Sequence, residues 1–89
     1  MKKEKTVLGR YIVADPAICH GKLTFRGTRI FVADVLDQVA SGMAWESIVE
    51  SWGRKVSKDA IAEAVRLARE ALLTYWPQMD LDSAHERVG

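Results

Sequence analysis

The feature that most constrains the fold is an apolar stripe of helical period between Ser57 and Pro77. Ser57 is a favourable N-cap because its hydroxyl can accept a hydrogen bond from a first-turn amide, and Pro77 cannot continue a helix. The pattern predicts about five turns of amphipathic helix whose apolar face packs inward against other elements. The stripe consists of Ala60, Ile61, Ala64, Val65, Ala68, Ala71, Leu72 and Tyr75.

The opposite face of this helix is charged. We expect Glu63 with Arg66, and Arg66 with Glu70, to pair along the helix surface and to add about 0.2–0.5 kcal/mol each. The residues that share this face are Lys58, Asp59, Glu63, Arg66, Arg69 and Glu70.

Two shorter amphipathic helices are predicted before it. From Val32, the residues Val35, Leu36, Val39 and Ala40 form one apolar stripe that ends at Gly42. A second helix runs from about Ala44 until Gly53, because Trp45, Ile48, Val49 and Trp52 recur at helical spacing. We expect both of its tryptophans to be largely buried.

The first third of the chain favours β-structure. Tyr11–Val13 is a short strand pattern that ends before Pro16, and Ile18–Gly21 reads as a turn. The alternating runs 22–26 and 29–32 flank Gly27 and Thr28, which predicts a tight β-hairpin with Gly27 at positive φ. In that hairpin Leu23 and Phe25 share one face, and Thr24 and Arg26 share the other.

A chain of 89 residues fits one domain. We expect a flexible basic arm over residues 1–10, a single domain over 11–76 and a C-terminal tail over 77–89. The fold class is mainly α with a small N-terminal β-hairpin and a homeodomain-like or winged helix-turn-helix core of three helices. A plain interaction bundle is the alternative, because three short helices with such turns also occur there.

Several function classes are disfavoured by composition. No signal-peptide pattern or apolar run of membrane-spanning length occurs, so a cytoplasmic location without membrane contact is expected. The single Cys19 has no internal disulfide partner, and two histidines are too few for a structural zinc site. Adjacent Cys19 and His20 lack a third residue to orient a base, so we expect neither an enzyme nor a cofactor.

The charge distribution is more informative than the net charge of +1. Residues 1–32 carry seven Lys or Arg against two acidic residues, whereas residues 33–89 carry six against ten. A basic N-terminal region favours contact with phosphates or head-to-tail association of copies, and two unrelated solvated faces are the alternative.

Two candidate DNA surfaces follow from this distribution. One is the hairpin, unless Arg29 pairs internally with a carboxylate, and the other is the start of the third helix, where Asp59 and Glu63 oppose phosphate contact. The candidate DNA-binding residues are Lys22, Arg26, Thr28 and Arg29 of the hairpin and Arg54, Lys55, Lys58 and Arg66 of the helical part.

The tail carries a separate prediction. Its few apolar residues cannot anchor a core, so we expect it to become ordered on a protein partner. The candidate partner-binding residues are Trp76, Met79, Leu81 and Arg87, of which Arg87 would approach an acidic ribonuclease site.

Two sequence blocks are distinctive, Ile18-Cys19-His20-Gly21-Lys22 and Arg26-Gly27-Thr28-Arg29-Ile30. They occur together with Tyr11–Val13 and with Val35-Leu36 before Ala40-Ser41-Gly42. In this combination the chain resembles the bacterial domain-of-unknown-function family 433 (DUF433) over residues 10–70. The chain departs from the family pattern at Leu23, Phe31 and Ala44 and in the 53–56 turn. The resemblance implies a β-hairpin with a homeodomain-like helix-turn-helix, in proteins similar to antitoxins of type II toxin–antitoxin pairs encoded beside a PIN-like ribonuclease.

The leading functional hypothesis is therefore an antitoxin-like DNA-binding regulator that represses its own operon and neutralises a PIN-like toxin ribonuclease. The alternative is a homodimeric protein-interaction module without nucleic-acid binding. A homodimer is expected in either case, because an isolated hairpin leaves strand edges unpaired and is not stable alone.

Overall fold

The computed structural model describes residues 4–75 and shows a small, mostly helical domain with a three-stranded antiparallel sheet at its N-terminal end. The strands are β1 (Thr6–Val7), β2 (Ile12–Ala14) and β3 (Leu23–Phe25), in the order β1-β2-β3. The helices are α1 (Val32–Ala40), α2 (Trp45–Ser51) and α3 (Lys58–Tyr75).

The three predicted helices are confirmed, and their ends follow local chemistry. Ser57 caps α3 as expected, because its Oγ accepts a hydrogen bond from the Ala60 amide at 3.1 Å. Gly42 and Gly53 follow α1 and α2 at φ +89° and +64°, a conformation that glycine adopts without steric cost.

The core lies where the first half of α3 meets α1, α2 and β2. α3 contributes three side chains that are nearly inaccessible to water, α1 contributes two, and β2, β3 and α2 contribute one each, so no single pair of elements forms the core alone. These buried residues are Ile12, Phe25, Val32, Val35, Ile48, Val56, Ala60, Ile61 and Ala64.

The sheet differs from the predicted hairpin. β3 pairs along its length with β2, where Ile12 faces Phe25, and the 29–32 segment adds only the single bridge between Thr24 and Phe31. The turn is confirmed around Gly27 at φ +78°, with the Thr28 amide donating to the Phe25 carbonyl at 2.9 Å. β3 thus has β2, rather than the 29–32 segment, as its main strand partner.

The first strand pattern and the outer face of the hairpin also differ from expectation. β2 is shifted by one residue to Ile12–Ala14, so Val13 and Thr24 face each other and are both buried. Thr24, predicted to share a face with Arg26, is fully buried, and its hydroxyl has no hydrogen-bond partner in the described part of the chain. The sheet therefore has two covered faces at this point.

The expectation of a flexible arm is wrong for part of residues 1–10. Thr6 and Val7 pair with Ala14 and Val13 as the edge strand β1. The amides of Arg10, Tyr11 and Ile12 donate to the carboxylate of Glu63 at 2.9–3.2 Å. Glu63 therefore ties the N-terminal segment to α3 rather than pairing with Arg66.

The tryptophans of α2 are half-buried rather than largely buried. The indole Nε1 of Trp52 donates to Oε1 of Gln38 at 2.6 Å, and the Gln38 amide donates to the Ser51 hydroxyl at 3.2 Å. Because an indole that donates at its edge stays near polar groups, Trp52 links α1 to α2 at the rim of the core.

The apolar stripe of α3 is only partly buried, which corrects the expectation that all of it packs inward. Ile61 and Ala64 are buried, whereas Leu72 is 60% exposed and Tyr75 is 74% exposed. Within residues 4–75, no helix is long and apolar enough to cross a bilayer. The tail residues Trp76, Met79, Leu81 and Arg87 lie outside the described residues.

Candidate nucleic-acid interface

A concave basic face forms where the β3 turn meets the turn between α2 and α3. We call this surface the basic groove. It brings together Arg26 and Arg29 of the first turn and Lys55 of the second, with Phe31 and Trp52 as apolar walls. Of the second surface that was predicted from the sequence, Lys55 thus lies beside Arg26 and Arg29 of the first.

The β3 turn is held rigidly by the hydroxyl of Thr28. This hydroxyl donates to the Phe25 carbonyl at 2.8 Å and accepts from the Ile30 amide at 2.9 Å. Its only hydrogen is therefore occupied, and Thr28 cannot donate to a phosphate while the turn is intact. Thr28 lines the groove, and its hydroxyl stabilises the turn that carries Arg29.

The second turn positions Lys55 through backbone geometry. Gly53 and Arg54 both adopt left-handed φ, at +64° and +66°, and the Lys55 amide donates to the Trp52 carbonyl at 3.2 Å. Val56 is fully buried directly after them and anchors the turn in the core. Lys55 is therefore exposed, and it directly precedes the buried Val56.

The cations of the groove are largely unneutralised. Among residues 4–75, no carboxylate forms an ion pair with Arg26, Arg29 or Lys55. Arg26 donates from Nη2 to the Gly9 carbonyl at 3.3 Å, and Asp34 is the one acidic residue of the described chain that lines the groove. The alternative in which Arg29 pairs internally with a carboxylate is therefore not found among residues 4–75.

Lys22 lies next to the groove rather than in it. Its ammonium stands 5.8 Å from the centroid of the Phe31 ring, within the range of a cation–π contact. Because Phe31 lines the groove, Lys22 adds positive charge at its edge.

The other predicted DNA-binding residues do not line the groove. Arg54 pairs with Glu50 at 2.9 Å, Lys58 pairs with Glu46 at 2.7 Å, and Arg66 lies on the exposed face of α3. The hydrogen bond from Lys58, together with a backbone hydrogen bond and the Lys58 charge, lowers the pKa of Glu46 below its usual value. The start of α3 is therefore close to neutral.

Glu63 was interpreted from the sequence as a surface carboxylate that would repel phosphate. Its three backbone donors instead turn it towards the N-terminal segment, and Gly9 lies so close that an added Cβ would collide with the carboxylate. No local pattern identifies this role, because the donors are more than fifty positions away. Asp59 remains the exposed carboxylate of the first turn of α3.

Cys19 and His20 form a tight turn with Gly21 in which all three residues have positive φ. Neither of them lines the basic groove. Within the described range 4–75, no group of three or more His, Cys, Asp or Glu side chains is placed to hold a metal ion.

One comparison with known proteins identifies a family. The model of the family described as protein of unknown function (DUF433) matches residues 12–68, which is more than half of the chain. No match was found to a curated protein or to a solved structure. The matched range contains β2, β3, α1, α2 and both turns of the basic groove. The chain therefore belongs to the DUF433 family.

Proposed function

We propose that this protein is an antitoxin-like regulator that binds double-stranded DNA through the basic groove and represses its own operon. The observation that supports DNA binding is the convergence of Arg26, Arg29 and Lys55 on one concave face without ion-pair partners among residues 4–75. Such unpaired cations neutralise phosphates and release condensed counterions, which is the main source of affinity for DNA.

In this proposal α2, the 52–57 turn and α3 form a helix-turn-helix, with the β3 turn beside it in the manner of a wing. The first turn of α3 is a poor reader of bases, because Lys58 is engaged by Glu46 and Asp59 is exposed. The two turns of the groove therefore make the phosphate contacts, and Phe31 and Trp52 pack against the deoxyribose surface between them.

The toxin-directed half of the proposal is supported by the family resemblance. A PIN-like ribonuclease is the partner that the resemblance implies, and the tail residues Trp76, Met79, Leu81 and Arg87 are the proposed contact. Co-expression of the chain with a toxic PIN-like ribonuclease tests this half. Rescue of growth by the full chain, and its loss on removal of residues 77–89, is the expected result.

DNA binding is tested by fluorescence anisotropy with a duplex from the region upstream of the gene and a scrambled duplex of equal length. With three to four phosphate contacts per protomer, the affinity should fall about 40- to 150-fold between 50 and 200 mM salt. Arg29→Ala and Lys55→Ala should each weaken binding to both duplexes and reduce the salt slope by about one.

Arg66→Ala is the matched control, because Arg66 is an exposed arginine outside the groove. It should leave both affinity and salt slope unchanged. Absence of binding by the wild-type chain near 50 mM salt, or equal losses for Arg66→Ala and Arg29→Ala, would contradict the proposal.

A second candidate function is a protein-interaction module without nucleic-acid binding. The observation that favours it is the exposed apolar surface of Leu72, Leu73 and Leu23, which are 60%, 46% and 40% exposed. Exposed apolar patches of this kind mark protein contacts. Charge reversal at Arg26 and Arg29 separates the two functions, since an interaction module keeps its partner and has no DNA binding to lose.

A further inference from the structure

We propose that a second copy of this chain docks on an apolar groove beside the second half of α3 and forms a two-fold symmetric dimer. The groove lies between α3 on one side and the sheet with α1 on the other. We call it the apolar groove, and its principal walls are Leu8, Leu23 and Leu36 on one side and Leu67, Ala68 and Ala71 on the other. No residue lines both this groove and the basic groove.

The same helix supplies a shape that can fill the groove. Val65 and Leu72 are one heptad apart and therefore lie along one line of α3, where they are 36% and 60% exposed. They form a ridge next to the groove wall at Ala68. Ridges of one helix pack into grooves of another, so α3 carries both halves of a helix–helix contact on one face.

Symmetry makes this arrangement self-complementary. When two copies of α3 lie side by side along a two-fold axis, the ridge of each copy meets the groove of the other. Glu70 lies at the edge of the groove, where it pairs with Arg69 of the same chain at 3.0 Å, so the proposed contact between copies is mainly apolar.

The size of the exposed surface fits a weak dimer. At roughly 100 Å² for a fully exposed leucine, the accessible parts of Leu8, Leu23 and Leu72 with the exposed ring of Tyr75 give on the order of 300 Å² per protomer. Two copies then bury about 600 Å² of apolar surface and, at about 60% apolar content, about 1,000 Å² in total. This is the lower limit of a specific interface, so we expect reversible association.

A second copy explains the surface better than a partner recognised by charge. The described wall of the groove is apolar except for Glu70, Thr74 and the hydroxyl of Tyr75, so it offers little for a charged peptide to pair with. The ridge that matches it is present in every copy of the chain. An isologous dimer therefore satisfies groove and ridge together.

The test is sedimentation equilibrium of the full chain from about 1 µM to about 300 µM. The expected result is a shift from the 10.0 kDa monomer towards twice that mass. Leu72→Glu, which changes the ridge, and Leu23→Glu, which changes the groove wall, should each leave the chain monomeric at least tenfold above the wild-type midpoint. Both side chains are exposed in the monomer, so circular dichroism should show unchanged folding.

Leu73→Glu is the matched control. Leu73 is also exposed and adjacent in sequence, but it lies about 100° further around α3 and lines neither groove. It should dimerise like the wild-type chain. A chain that remains monomeric throughout, a dimer that survives both Leu72→Glu and Leu23→Glu, or equal disruption by Leu73→Glu would overturn the proposal. Because the two grooves share no residue, the DNA binding of monomeric Leu72→Glu can be measured separately from its loss of dimerisation.

Discussion

The two halves of α3 have the same apolar periodicity but opposite surroundings. Ile61 in the first half is fully buried, whereas Leu72 in the second half is 60% exposed. The first half contacts α1, α2 and β2, and it is tied to other segments by Glu63 and Lys58. The difference shows that an amphipathic pattern specifies which face of a helix is apolar, but not whether this chain alone covers that face.

Truncating one apolar side chain in each half of α3 should have very different effects on stability. Ile61→Ala should lower the free energy of unfolding by about 2–5 kcal/mol, because it removes buried methyl groups and leaves a cavity. Leu72→Ala should change it by less than about 0.5 kcal/mol. Urea unfolding at low micromolar concentration, where any dimer dissociates, provides the measurement, and similar losses at both positions would contradict the comparison.

The Glu63 contact tests how the first half is anchored. Glu63→Ala should cost about 1–3 kcal/mol, because three amides, of which those of Tyr11 and Ile12 are in partly buried hydrogen bonds, lose a charged acceptor. Urea unfolding of a double-mutant cycle with Gly9→Ala isolates the contact. Gly9→Ala displaces the carboxylate in the wild-type background and should be nearly neutral once Glu63 is alanine. Additive losses would show that the contact does not stabilise the chain.

Removing the N-cap of α3 should lower the stability by a smaller amount. Ser57→Ala should destabilise the chain by about 1 kcal/mol, because the Ala60 amide loses its side-chain acceptor. Ser57→Asp keeps an acceptor at the same place and serves as the control. Thermal unfolding followed by circular dichroism at 222 nm should separate the two variants, and identical midpoints would show that the cap is not needed.

The smallest effect concerns the ion pair between Lys58 and Glu46, which connects the first half to α2. The Lys58 hydrogen bond lowers the pKa of Glu46 in the folded state. The ion pair therefore stabilises the fold at pH values above the unfolded-state pKa of Glu46. This contribution is lost as the pH falls through the lowered folded-state pKa. Both side chains are more than half exposed, so screening keeps the contribution small.

Glu46→Gln should therefore flatten the acidic limb of a stability-versus-pH curve measured by urea unfolding. Glu70→Gln removes the partner of Arg69 in the second half and is the natural comparison. A larger change for Glu70→Gln would reverse the assignment of which half is tied to the rest of the domain.

Most of the helical architecture could be predicted because its signals are local. The Ser57 cap, the glycines after α1 and α2 and the Val35 stripe each act within a few residues. Strand pairing was less predictable, because the choice of β2 rather than the 29–32 segment as the partner of β3 depends on tertiary contacts. Trp52 was placed too deep because its hydrogen bond to Gln38 comes from another helix.

In the candidate site too, individual residues could be predicted from the sequence, whereas their tertiary arrangement could not. Arg26, Arg29 and Lys55 were each predicted as phosphate contacts, but their convergence depends on the tertiary packing that places the two turns beside each other. The inward role of Glu63 could not be predicted, because backbone amides carry no sequence signal for the carboxylate that they bind.

The long reach of Glu63 has a consequence for how the chain is made. Ribosomes release the 10–12 segment first, and its acceptor is translated 51 to 53 residues later. Closing so large a loop also carries an entropic cost that only a formed α3 can offset. The contact between the 10–12 segment and Glu63 can therefore form only after the first half of α3 has been synthesised.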